Sequence, residues 1–192
     1  MDFFYLDIET VPNDKELYLS LPEEGRKKLL NPIDSRIVAI GMKRKENEAQ
    51  IFYGEDEKSI LTQFWSALAE SRKTNGSYQL VGFNIKDFDL PFLVTRSFIQ
   101  EVKILPFVVK EVVDVRESLS AFKYGHTRGK LKEYGALMGL SIIDDIDGSR
   151  VAERYWAGEH AKIQEYLRKD LEITQAMHTR MKDLGITDIL RW

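Results

Sequence analysis

The chain has 192 residues, 43% hydrophobic and 31% charged, with a formal net charge of −3 and no cysteine. These values suit one globular domain spanning residues 1–192. They exclude a disordered or fibrous chain, a disulfide framework, a thiolate nucleophile and a thiolate zinc site.

The first apolar run ends in Tyr5-Leu6-Asp7-Ile8-Glu9-Thr10. Side chains alternate along a strand, so Asp7 and Glu9 share one face with Phe3 and Tyr5, while Phe4, Leu6 and Ile8 cover the other. A strand apolar on both faces is central in a covered sheet. Two acids at its end repel each other and resist desolvation unless a cation sits between them; a hard divalent ion with oxygen ligands, Mg²⁺ or Mn²⁺, fits best.

Residues 11–35 then form a long polar connection with three prolines and room for one or two short helices; loops of this length often act as lids. Residues 36–42 and 48–53 read as the strands of a hairpin, and residues 59–71 as a helix with one buried face. A buried strand follows at 78–83, a helix at 90–100, and a strand end leading into a short helix at 112–115. Helices are predicted at 131–140, stopped by Gly139, and at 149–157, with Ser149 as N-cap. The last helix runs from about Glu159 to Asp183. The pattern is α/β.

Its apolar stripe is Ile163, Tyr166, Leu167, Leu171 and Thr174, and Asp170 falls on the same face, four residues after Tyr166. A lone carboxylate there needs a salt bridge, a hydrogen bond from Tyr166, or a metal. Asp89 offers a third acid, where the chain leaves the strand at 78–83 and turns near Asn84. Capping the next helix is one reading of Asp89 and metal ligation another; Asp87 competes for the second role.

Together, Asp7 and Glu9 in YLDIET, Asp89 in GFNIKDFDLPFL, and Tyr166 with Asp170 in YLRKD resemble the three motifs of the DEDD 3′→5′ exonucleases. Tyrosine in the third motif is the mark of the tyrosine subclass. The likeness is to exonucleases related to the proofreading domain of family B DNA polymerases, whose Phe-Asp pair matches Phe88-Asp89 rather than Asp87. It extends from Tyr5 to about Thr174 and includes residues 131–139 and Asp147-Gly148-Ser149.

The resemblance implies a ribonuclease H-like mixed β-sheet whose first three strands form an antiparallel meander, flanked by α-helices. Asp7, Glu9 and Asp170 would bind one Mg²⁺ or Mn²⁺; Asp7 would bridge to a second, held by Asp89 directly or through water. Such a pair of ions, about 3.5–4 Å apart, activates water on one side and stabilises the leaving oxygen on the other. Tyr166 would orient the water, since a phenol with a pKa near ~10 is no general base at neutral pH. The substrate would be single-stranded DNA 3′ ends, with RNA as the alternative and a metal-holding nucleic-acid-binding module without cleavage as a further one. A polymerase or repair partner is compatible with the chain.

Backbone N–H groups near Glu9, Thr10 and Val11 are candidates for holding the 3′ end. Phe88 either stacks on a base or packs in the core, and Asn84 either meets the substrate backbone or makes the turn. Residues 123–130, KYGHTRGK, read equally as a phosphate contact or a solvated loop. His126, His160 and His178 lack zinc-ligand spacing, Asp114 reads as a helix cap, and the acids at 144, 145 and 147 as a solvated turn. No glycine-rich phosphate loop follows a strand. With no apolar run long enough to span a membrane and no basic leader ahead of the first strand, a soluble, cytoplasmic protein is expected.

Overall fold

The computed structural model describes residues 2–44, 47–122, 129–142 and 148–189. Strands β1 (Asp2–Pro12), β2 (Ser35–Arg44), β3 (Gln50–Tyr53), β4 (Tyr78–Gly82) and β5 (Val113–Asp114) form a mixed sheet in the order β3-β2-β1-β4-β5. The first three make the antiparallel meander, and β4 and β5 continue in parallel from β1. β1 is central, as its two apolar faces require.

One face buries Phe4, Leu6 and Ile8 against α3 (Glu57–Asn75) and α4 (Asp89–Ile99), through Phe64, Leu68, Phe92 and Leu93. On the other, Tyr5 and Val81 meet Leu171 and Met177 of α8 (His160–Asp183), and Val11 meets Val151 of α7 (Val151–Trp156). Two short helices, α5 (Val115–Leu119) and α6 (Leu131–Leu137), complete this layer. The fold is the expected ribonuclease H-like α/β architecture.

Cap chemistry explains where several elements differ from expectation. α3 begins two residues early because the Asp56 carboxylate accepts the amides of Lys58 and Ser59. Ser149 is not an N-cap: a 3-10 turn, Gly148–Arg150, precedes α7, and the Ser149 carbonyl accepts a hydrogen bond from the Tyr18 hydroxyl. Nor does Asp89 cap α4. It is the first helical residue, Phe88 holds the cap position, and the Asp89 carboxylate is turned elsewhere.

The connection after β1 holds two short helices, α1 (Lys15–Ser20) and α2 (Glu23–Lys28). It is tied to the body in several places. Tyr18 reaches Ser149, Arg26 pairs with Glu153 at 3.2 Å, and Arg96 donates to the Pro32 carbonyl at 3.1 Å while gripping Glu57 through two nitrogens. No described helix is long and apolar enough to cross a membrane.

Candidate metal centre

β1 delivers Asp7 and Glu9 at its middle, where neighbouring strands cover it unequally. β2 pairs with it from Phe4 to Pro12, setting Asp7 opposite Gly41 and Glu9 opposite Ala39. β4 pairs only from Asp2 to Tyr5; beyond Tyr5 that edge of β1 carries no strand among the described residues, and the Ile8 amide meets Asp89 instead. The register slips between Glu9 and Thr10, the kind of irregularity that re-aims side chains beside active sites.

α8 supplies the third acid. Its inward stripe contains Ile163, Tyr166, Leu167, Asp170, Leu171 and Thr174, as the spacing predicts. The helix packs closely because position 41 lacks a side chain: a Cβ there would stand 2.8 Å from Leu171 Cδ1 and 2.9 Å from Leu167 Cγ. Carboxylate oxygens of Asp7, Glu9 and Asp170 consequently lie within 4.8 Å of one another.

Asp89 enters from the start of α4. Its Oδ1 accepts the amide hydrogen of Ile8 at 3.0 Å, a bond that holds it against the strand between the two β1 acids. It stands outside the three-way group, yet its carboxyl interacts directly with that of Asp7, so Asp7 is common to both sets. Asp87 is exposed and takes no part.

The electrostatics follow from that crowding. Burial, then the charges of Asp89, Asp170 and Glu9, hold the Asp7 carboxyl well above the ordinary carboxylate range. Burial does the same to Glu9, reinforced by Asp170 and Asp89 and opposed by Lys132. Burial also raises Asp170, against a hydrogen bond from Tyr166 and the charge of Lys132, and pushes Asp89 up to about 8 despite its backbone hydrogen bonds. Burial and the surrounding acids likewise raise the Tyr166 phenol, so it stays protonated.

A divalent cation fits this donor set. Asp170 Oδ1 is buried with no hydrogen-bond partner among the described residues, a costly state for a carboxylate oxygen unless something positive meets it. Hard oxygen donors from several elements around one point suit Mg²⁺ or Mn²⁺.

Other expected site residues fall around this centre. Thr10 is buried, and Val11 lies fully inside the cluster with Tyr18, Val38 and Val151, leaving only backbone to meet a substrate. Asn84 makes the turn, at φ 60°, and its side-chain oxygen accepts from Arg116. Phe88 is half-buried, its ring 4.9 Å from that of Phe92. His160 bonds Tyr53, and His178 bonds the Tyr5 hydroxyl at 3.2 Å; neither joins the acids. Residues 123–128 of the basic loop, with His126, and the acids at 144, 145 and 147 lie outside the described residues.

Lys132 escaped the sequence reading. The Lys132 ammonium, on α6, sits 4.7 Å from the centroid of the Tyr166 ring and acts on both Glu9 and Asp170. A lone lysine on a short helix carries no signal distinguishing it from a solvated one. A Cβ at Gly148 would stand 3.8 Å from the Tyr166 hydroxyl, so this turn borders the site too.

A mixed sheet with this strand order and clustered acids at its central strand defines a ribonuclease H-like nuclease fold with a candidate acidic metal site. The chain belongs to the ribonuclease H superfamily: the family model RNase_H_2 matches residues 28–181, a stretch holding Asp89, Tyr166 and Asp170 and beginning after Asp7 and Glu9. An uncharacterized protein of Methanocaldococcus jannaschii is 33% identical over 169 residues, covering 83% of this chain and 93% of the relative. The family B DNA polymerase of the hyperthermophilic archaeon Pyrobaculum calidifontis superposes on 97% of the chain with a TM-score of 0.71 at 18% identity. The chain spans about a quarter of that polymerase's length, 25%.

Proposed function

We propose that residues 1–192 form one 3′→5′ exonuclease domain of the tyrosine DEDD type. It would use two Mg²⁺ or Mn²⁺ ions to hydrolyse single-stranded DNA from its 3′ end, releasing nucleoside 5′-monophosphates, in the cytoplasm. The observation that carries this reading is the meeting of Asp7, Glu9 and Asp170 within 4.8 Å, with Asp89 beside Asp7 and Tyr166 on the same face of α8 as Asp170. The ribonuclease H family match and the likeness to a DNA polymerase support it.

Asp7, Glu9 and Asp170 would hold one ion, and Asp7 with Asp89 the other. When bound, such ions activate the attacking water and stabilise the departing 3′ oxygen. Tyr166 remains a phenol and orients that water through its hydroxyl rather than accepting its proton. Lys132, beside Tyr166, is the cation that meets the incoming phosphate. Phe88, half-buried and next to Asp89 in the chain, offers its ring to the terminal base.

The test is a 5′-labelled DNA oligonucleotide with Mg²⁺ or Mn²⁺, in wild type and Asp7→Asn, beside an RNA of the same sequence. Stepwise 3′ shortening of DNA, absent in the variant, supports the reading. Faster shortening of RNA makes the enzyme an exoribonuclease, and binding without shortening under either ion makes it a binding module.

A further inference from the structure

Asp114 does more than its place before α5 requires. A cap needs only the first amides of its own helix, and Asp114 Oδ1 does accept those of Arg116 at 3.0 Å and Glu117 at 3.2 Å. Two further donors come from a distant part of the chain: the Asn84 amide reaches Oδ1 and the Lys86 amide reaches Oδ2, each at 3.1 Å. The carboxylate is 2% exposed, so these four bonds are made out of water, where an acceptor without donors is costly.

The bonded segment leads directly to the metal centre. Asn84 is held at φ 60°, its carbonyl accepts the amides of Asp87 and Phe88, and the Ile85 carbonyl accepts that of Leu90. Asp89 lies inside this folded turn and reaches Ile8 from it. Two side-chain ties run parallel: Lys86 to Glu117 at 2.7 Å and Arg116 to the Asn84 oxygen at 3.1 Å.

We propose that Asp114 is a positioning residue for the metal centre: its two long-range backbone hydrogen bonds, to Asn84 and Lys86, fix residues 84–88 against β5 and α5, and thereby set where Asp89 stands beside Asp7. The inference rests on the reading of Asp89 as a metal ligand. Groups that orient ligands without touching the metal typically govern affinity or activity by about 10–100-fold. Asp114→Asn keeps one acceptor oxygen, for the cap and the Asn84 amide, but turns an NH₂ group toward the Lys86 amide, so it breaks the tie to Lys86 and leaves the cap in place.

The test is calorimetric titration of Mn²⁺ into the wild type, Asp114→Asn, Asp89→Asn and the double variant, with kcat and KM measured on the same preparations. Asp114→Asn is expected to weaken the second Mn²⁺ by about 10–100-fold, leave the first unchanged, and lower kcat rather than raise KM. The double variant is expected to bind no more weakly than Asp89→Asn alone, because the effect passes through Asp89. If the asparagine chain does not fold, Asp114→Glu keeps the charge, displaces the acceptors, and is expected to show the same selective loss. Wild-type affinity in the folded variant, equal weakening of both ions, or additive losses in the double variant would overturn the proposal. A wild type that takes up no Mn²⁺ removes the metal-centre reading itself, and this inference with it.

Discussion

Gly41 of β2 stands directly across from Asp7 of β1, and the space its missing side chain leaves is filled by Leu167 and Leu171 of α8. The helix that brings Asp170 to the centre is therefore seated at the position opposite the first acid. Any side chain at 41 must push against those leucines. Gly41→Val is expected to cost about 1–3 kcal/mol by overpacking and to weaken Mn²⁺ binding as Asp170 is lifted from Asp7. Urea unfolding and a Mn²⁺ titration check both parts; a variant as stable and as tight as wild type would remove α8 seating as the cause.

The crowded acids also set the pH dependence of stability. Asp7, Glu9, Asp89 and Asp170 all titrate above their ordinary values, so the folded state binds more protons than the unfolded one from the carboxylate range upward, through about 8 for Asp89. Stability from these groups is present at low pH and lost as pH rises. Without metal, the melting temperature is expected to fall between neutral pH and mildly alkaline pH, and the rise given by Mn²⁺ to grow over the same range, because the cation displaces those protons. Scanning calorimetry with and without Mn²⁺ measures it. A metal-induced shift indifferent to pH contradicts the account.

His178 acts with the opposite sign. Burial lowers it from 6.5 to about 4, so it is neutral in the fold and its contribution is complete above 6.5. That contribution is lost as pH falls from 6.5 toward 4, where the unfolded chain takes up a proton the folded one refuses. His178→Phe is expected to flatten the acid side of the stability curve while leaving its alkaline side unchanged. Equal slopes in the two proteins would count against this assignment.

Removing one of the mutually repelling acids separates stability from function. Metal-free Asp170→Asn is expected to be more stable than the wild type at alkaline pH by about 1 kcal/mol, one pKa unit being worth 1.36, while losing nearly all phosphodiester hydrolysis. Chemical denaturation and oligonucleotide digestion on the same preparation test the pair of outcomes. A destabilised variant would mean Asp170 is held by partners rather than strained by neighbours.

Lys132 offers a contrast of signs. Its charge opposes the elevation of Glu9 and Asp170, so Lys132→Met raises both acids further; at alkaline pH, where they are ionised all the same, the loss of a repelling ammonium is expected to tighten Mn²⁺ several-fold. The same change removes a cation from the phosphate, and KM for DNA is expected to rise. Weaker metal binding in the variant would show that Lys132 supports the acids by packing rather than by charge.

The alternation in Phe3 to Thr10 was enough to place β1 at the sheet centre with its acids on one face, and the stripe of α8 was enough to turn Asp170 inward. Both are periodic signals that burial enforces. Helix caps were less legible. Asp89 and Ser149 have cap-forming side chains, but which partner each takes depends on distant chain: Ile8 for Asp89, Tyr18 for the Ser149 carbonyl. Asp114 has the converse history, since its cap is real and the longer-range bonds were invisible. Lys132 and Gly41 matter because of what lies opposite them, which no local pattern records.

The central claim is that four carboxylates from three elements hold a pair of cations, and Mn²⁺ titration followed by electron paramagnetic resonance tests it most directly. The account expects two ions in the wild type, the second lost in Asp89→Asn, and neither retained tightly in Asp7→Asn, whose carboxylate both ions share. Binding in Asp7→Asn equal to that of the wild type, or none in the wild type, would contradict it.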